Sequence, residues 1–173
     1  MAPASRRCSR GQAMKKIMLL LLGSCAAFGQ TAKTTGTWLP VDVKWEHAPP
    51  GVNAKLETAQ TRVLYFSDGG HVAVIECVVN RERGRYTTLS RGDGQVVSVG
   101  EWDGHLPGEV KYRLVSRTVA LEGEKLPGPW QKTKLKFTHK SYLMFEGNLY
   151  RHEDALRQSV LELLRGTPEA AWK

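Results

Sequence analysis

A hydrophobic period of two runs through most of this chain and restricts it more than any other feature. Lys132-Thr133-Lys134-Leu135-Lys136-Phe137 shows it most cleanly, with three lysines on one side and Thr133, Leu135 and Phe137 on the other. Successive side chains of a strand point to opposite faces, so such a segment has one face in water and one in a core. Similar stretches rich in Val, Tyr, Ile and Thr occupy 37–45, 55–58 leading into 62–67, 71–79, 85–90, 95–102, 109–121 and 141–147. Asp68-Gly69-Gly70, Asp93-Gly94 and Asp103-Gly104 punctuate them as hairpin turns, because Gly tolerates positive φ and Asp bonds the neighbouring backbone. The count is about eight strands, which predicts a mainly β, antiparallel fold.

Two departures from the pattern are informative. Val110, Tyr112 and Leu114 alternate with Lys111 and Arg113, and the apolar phase then moves to Val115, Val119 and Leu121. A one-residue phase change predicts a bulge or sharp bend in that strand. Near the end, Leu156, Val160, Leu163 and Leu164 recur at helical spacing. Glu153 and Asp154 fall in the first turn, Arg165 in the last, and Gly166 and Pro168 stop it, which predicts one amphipathic helix over 152–165 packed on the sheet.

Residues 14–29 read as an export signal. Lys15 and Lys16 form a positive head, Ile17 to Leu22 a short apolar run, and small residues follow, as a translocated leader requires. The run falls short of the about 20 residues that span a bilayer. Two processing readings stay open. Leu22-Gly23-Ser24-Cys25 resembles a lipobox, which would make Cys25 the acylated N-terminus, whereas Ala27-Phe28-Gly29 suits ordinary cleavage before Gln30. Residues 1–13 read as an extension upstream of a signal that starts at Met14. Arg6-Arg7 suggests twin-arginine export, but Cys8-Ser9-Arg10 replaces the apolar residues expected next, which disfavours that reading. The chain thus divides into 1–29 and a single domain over 30–173.

Five of the 25 basic residues and none of the 17 acidic ones precede residue 30, leaving a formal charge of +3 on the domain. That is an ordinary solubility charge and argues against nucleic acid as a partner. Cys77 is the one cysteine after residue 30. It sits in an apolar strand with no basic neighbour, so it reads as a small buried hydrophobe rather than a nucleophile. The histidines at 47, 71, 105, 139 and 152 show no metal-ligand spacing, and neither a nucleophile elbow nor a phosphate-binding glycine loop occurs. No cofactor or metal is expected. Glu76 interrupts the strand 71–79 on the face shared by Val72, Val74 and Val78. If that face is internal, the carboxylate needs a cationic partner such as an Arg.

Gly36-Thr37-Trp38 opens the first strand, about eight strands follow, and a helix closes the chain after Arg151. This order resembles the lipocalin pattern as it occurs in small exported bacterial lipocalin-like proteins. The resemblance implies an up-and-down barrel whose closed end is capped by Gly36 and Trp38, with Arg151 packed across the indole in cation–π contact. A barrel of this size either fills with side chains or holds one small ligand. The expected function is therefore non-enzymatic: an exported cell-envelope protein, periplasmic, secreted or lipid-anchored through Cys25, binding a small apolar or amphipathic molecule. Glu76, Trp102, Tyr112, Phe137 and Tyr142 are its candidate lining residues, although inward aromatics more simply fill a barrel. The alternative is an envelope interaction protein that uses a sheet face, with the row Lys132, Lys134, Lys136 and Lys140 as candidate; an enzyme comes third.

Overall fold

Ten strands and one α-helix arise from the period-two and helical segments in the computed structural model, which describes residues 34–47, 55–90, 94–103, 107–119, 121–139, 141–165 and 167. All of these lie in the unit Lys33–Lys173. The segment 1–29 with Cys25, residues 91–93 and Lys140 lie outside the described residues. In chain order the strands are β1 (Gly36–Pro40), β2 (Glu46–His47), β3 (Leu56–Phe66), β4 (His71–Glu82), β5 (Arg85–Ser90), β6 (Val96–Trp102), β7 (Gly108–Arg117), β8 (Gln131–His139), β9 (Tyr142–Phe145) and β10 (Asn148–His152). Eight of them, β1, β3, β4 and β6 to β10, pair antiparallel in a closed ring that joins last strand to first. The eight-stranded antiparallel barrel is as expected, but its membership is not: 85–90, counted among the expected strands, lies outside the ring as β5, and β10 takes its place. Strand β2 adds to the outside edge of β3, and β5 extends the pairing of β4 beyond the point where β6 leaves it.

Closure depends on β10, a segment to which the sequence pattern assigns no strand. The stretch 141–147 is not one strand: β9 ends at Phe145, Glu146 and Gly147 turn with φ of 50° and 78°, and β10 returns to pair with β1 as Trp38↔His152, Leu39↔Arg151 and Pro40↔Tyr150. The C-terminal helix consequently begins later than residue 152. A 3-10 turn (Asp154–Leu156), capped by the Glu153 side chain, leads into α1 (Arg157–Leu164). Strand β1 also stops at Pro40 rather than at residue 45, because proline has no N–H for a ladder.

The alternation divides two cores. Leu64, Phe66, Val72, Val74, Val110, Leu135, Leu143, Phe145, Trp38 and Tyr150 face inward and are buried against one another. Val63, Tyr65, Ala73, Ile75, Cys77 and Val79 face outward, where Leu156, Val160, Leu163 and Leu164 of the C-terminal turns cover them. The sheet is therefore apolar on both faces on this side, which is why 71–79 reads as a nearly continuous hydrophobic run. The predicted bulge lies where expected: Val97 pairs with Ser116 and Ser98 with Leu114, leaving Val115 as the extra residue of β7. Beyond Arg117 the chain leaves the sheet, so the strand does not reach residue 121.

Candidate functional site

The two ends of the barrel differ in chemistry. At one end, Trp38 is fully buried, and its Nε1 donates to the Thr34 carbonyl at 2.8 Å. Phe137 lies 5.7 Å away and Trp102 stacks edge-on against Phe66 at 5.6 Å. The aromatic partner that strand pairing brings to Trp38 is His152, whose ring meets the indole edge-on at 5.0 Å. Arg151 does not pack across Trp38. One residue earlier on β10, it points to the outer face, lies over the Tyr86 ring at 5.5 Å and donates to the Tyr86 hydroxyl. Gly36 has φ of 117°, and a Cβ there would sit 2.5 Å from His152 Nε2; the Gly-x-Trp pair thus places an indole and an imidazole at the same base.

At the other end the inward face turns polar. Arg62 and Glu76 continue the inward series of Leu64 and Val74 by one step and stand directly opposite each other on β3 and β4. Arg62 Nη2 donates to Glu76 Oε1 at 2.8 Å and Nη1 to Glu146 Oε2 at 2.5 Å. Glu146, held in the positive-φ turn after β9, also accepts from the Tyr112 hydroxyl on β7. Three strands and a turn are thereby tied across one mouth. The network borders a cleft of about 180 Å³, whose polar wall includes Ser98, Arg117 and Gln131 and whose apolar wall includes Val74, Val96 and Leu114.

The electrostatics fix charge rather than pass protons. Partial burial pulls the Arg62 pKa down, but the hydrogen bond it donates to Glu76 and the charges of Glu76 and Glu146 outweigh it, leaving the guanidinium more firmly protonated than usual. Burial first, then the hydrogen bond and charge of Glu146, push Tyr112 well above the ordinary tyrosine range. Tyr150, deeper in the barrel, is pushed up to about 12 by burial, against the pull of Arg62. Arg62 is therefore a cation and both phenols stay neutral near pH 7. Among the described residues no group of three His, Cys, Asp or Glu side chains is arranged to hold a metal ion.

Of the expected lining residues, Glu76 and Tyr112 meet at the mouth, while Trp102 and Phe137 pack against the buried interior cluster. Tyr142 is a correction: it is exposed on the outer face, because Leu143 and Phe145 take the inward positions of β9. Arg62 and Glu146 are site residues that pattern reading passes over. A signal for Arg62 exists: the hairpin closes with Ser67 N–H donating to the His71 carbonyl at 2.9 Å, and counting back equally from that turn sets Arg62 opposite Glu76. Glu146 has no comparable signal, since it depends on the turn before the closing strand. No protein-family model, curated protein or solved structure significantly matches this chain.

Proposed function

We propose that the protein is an exported, non-catalytic, lipocalin-like binding protein that holds the hydrogen-bond-donating head of a small amphipathic molecule at the barrel mouth. The observation that carries this reading is the Arg62–Glu76–Glu146–Tyr112 network turned inward above an otherwise apolar interior. Glu76 bonds Arg62 through Oε1 and its side chain is 41% exposed, so its other oxygen faces an incoming amine or hydroxyl. At about 180 Å³ the cleft is smaller than the roughly 300–1,000 Å³ of drug-sized pockets. It suits a head group whose tail follows the apolar wall outward. The middle of the barrel, occupied by fully buried aromatic and aliphatic side chains, leaves the mouth as the better-supported place for a ligand.

Export is supported by the leader-like segment 14–29. N-terminal analysis of the protein from its host should find a chain starting at Gln30 or at an acylated Cys25; cytoplasmic protein starting at Met1 would refute export.

The ligand reading is tested by thermal stabilisation with dodecylamine and dodecanoate below their micellar concentrations. The amine should stabilise the protein and the carboxylate should not. Glu76→Gln, which keeps shape and leaves Arg62 paired with Glu146, should weaken the amine about tenfold, the scale of one charge-assisted hydrogen bond. Equal response to both amphiphiles, unchanged by Glu76→Gln, would overturn it.

A further inference from the structure

Strands β7 and β8 carry a second surface, on the outside of the barrel. Because Val110, Tyr112, Leu135 and Phe137 turn inward, Lys111, Arg113, Lys132, Lys134 and Lys136 are set outward, on neighbouring strands. Carboxylates answer part of this charge: Glu109 pairs with Lys132 at 3.1 Å, Glu101 stands opposite Lys111 in register, and Asp103 accepts from the Glu109 N–H at 3.4 Å. Helix α1 packs near β1 and β5, on another part of the wall.

The connector from β7 to β8, described over 118–119 and 121–130, reaches this face at Trp130. Its Val119 and Leu121 are each 55% exposed, Leu126 42% and Trp130 46%. These are four of the seven large hydrophobic side chains exposed among the described residues, and two more, Tyr142 and Met144, lie on the outer face of β9 beside β8. Apolar exposure therefore falls mainly on one connector and on the strand beside β8, and exposed apolar groups gathered on few elements mark an interaction surface. The indole of Trp130 is anchored to the cationic face, with Lys111 Nζ 4.8 Å and Arg113 Cζ 4.6 Å from its ring centre. The connector itself holds Glu122 and Lys125, and its Glu124 pairs with Arg117 at 3.2 Å, so it adds little net charge.

We propose that the outer face of β7 and β8, with Val119, Leu121, Leu126 and Trp130 of the connector, is a peripheral docking surface for an anionic lipid bilayer. The lysines meet negatively charged head groups, Trp130 takes the head-group level that indoles favour, and Val119, Leu121 and Leu126 enter the acyl boundary. A nucleic acid matches the charge but leaves these aliphatic side chains in water. A second copy docking through the same face sets like charge against like. Among the described residues no helix is long and apolar enough to cross a membrane, and a surface of this kind binds reversibly and weakens with salt. The inference is independent of the mouth ligand. It does have a geometric consequence, since Leu114, Arg117 and Gln131, at the roots of the connector, line the mouth cleft, which therefore opens beside the membrane.

The test is co-sedimentation of the full chain with vesicles of phosphatidylcholine alone and of equal phosphatidylcholine and phosphatidylglycerol. Parent and variants share the same N-terminal segment, so their difference isolates the face. The parent should bind the anionic vesicles far better. The triple reversal K132E/K134E/K136E should reduce that binding by about a hundredfold or more, and Trp130→Ala by about tenfold with loss of a blue shift in tryptophan emission. Binding that is indifferent to lipid charge, or unchanged in both variants, overturns the proposal. So does capture of a DNA oligonucleotide that falls in the charge reversal and ignores Trp130→Ala, if the vesicles are not bound.

Discussion

Among the described glycines, Gly100 has the least room for a side chain. It lies on β6 opposite Tyr112, and an added Cβ would be 1.9 Å from the Lys111 carbonyl oxygen and 2.5 Å from Tyr112 Cα. Both obstacles are backbone, so relief requires moving β6 away from β7 within a closed ring. Gly100→Ala should therefore lower stability by about 3 kcal/mol, the upper part of the range for overpacking. Urea unfolding measures this, and an unchanged midpoint would show that the ring adjusts freely. The sequence places Gly100 inside the strand 95–102, but the obstacle belongs to the neighbouring strand and is set by pairing. Glu76 is the opposite case. Its position in an apolar strand announces a carboxylate that needs a cation, and Arg62 supplies one at 2.8 Å. The expected contact of Arg151 with Trp38 fails for a reason of parity: β10 pairs with β1 so that the even residue, His152, shares the inward face.

Helix α1 and the 3-10 turn before it are the element whose role is simplest to isolate. Leu156 and Leu164 are fully buried against outward residues of β1, β3 and β4, including Leu39, Val63 and Ile75. Leu164→Ala should cost about 2–5 kcal/mol, the range for buried leucines. Its denaturation midpoint should fall while the far-ultraviolet β signal persists; loss of less than about 1 kcal/mol would mean that the helix merely rests on the barrel. The apolar stripe of this element is legible in the sequence, since Leu156, Val160, Leu163 and Leu164 keep helical spacing. Its start is not. Residues 148–152 are polar enough to continue a loop or open a helix, and only pairing with β1 makes them a strand. The bulge at Val115 was legible because a bulge changes which face the following side chains take.

For the molecule as a whole, the enclosed core makes stability depend on alkaline pH. Burial raises the Cys77 thiol from 9.0 to about 12, with a smaller push from Glu76, and raises Tyr150 from 10.0 to about 12. Tyr112 moves the same way. Each group is neutral when protonated and has a folded pKa above its unfolded one. Its contribution is therefore complete below the unfolded pKa and is lost as pH rises towards the folded value. The melting temperature should be insensitive to these groups below about pH 9 and fall between about pH 9 and 12. A melting temperature level across that window, or tyrosinate absorbance showing every tyrosine ionising near 10 without unfolding, would contradict the burial of these groups. By itself the sequence determined that the domain is β-rich, that its strands are two-faced, where one strand bulges and that an apolar helix packs on the sheet, because side-chain alternation and helical spacing are local properties of the chain. Closure of the ring, the pairing of Arg62 with Glu76 and Glu146, the outward turn of Tyr142 and Arg151, and the assembly of cations and indole on β7 and β8 were decided only by tertiary structure. They depend on strand register and on which residues a closed sheet brings face to face, and those are set by packing between segments far apart in the chain.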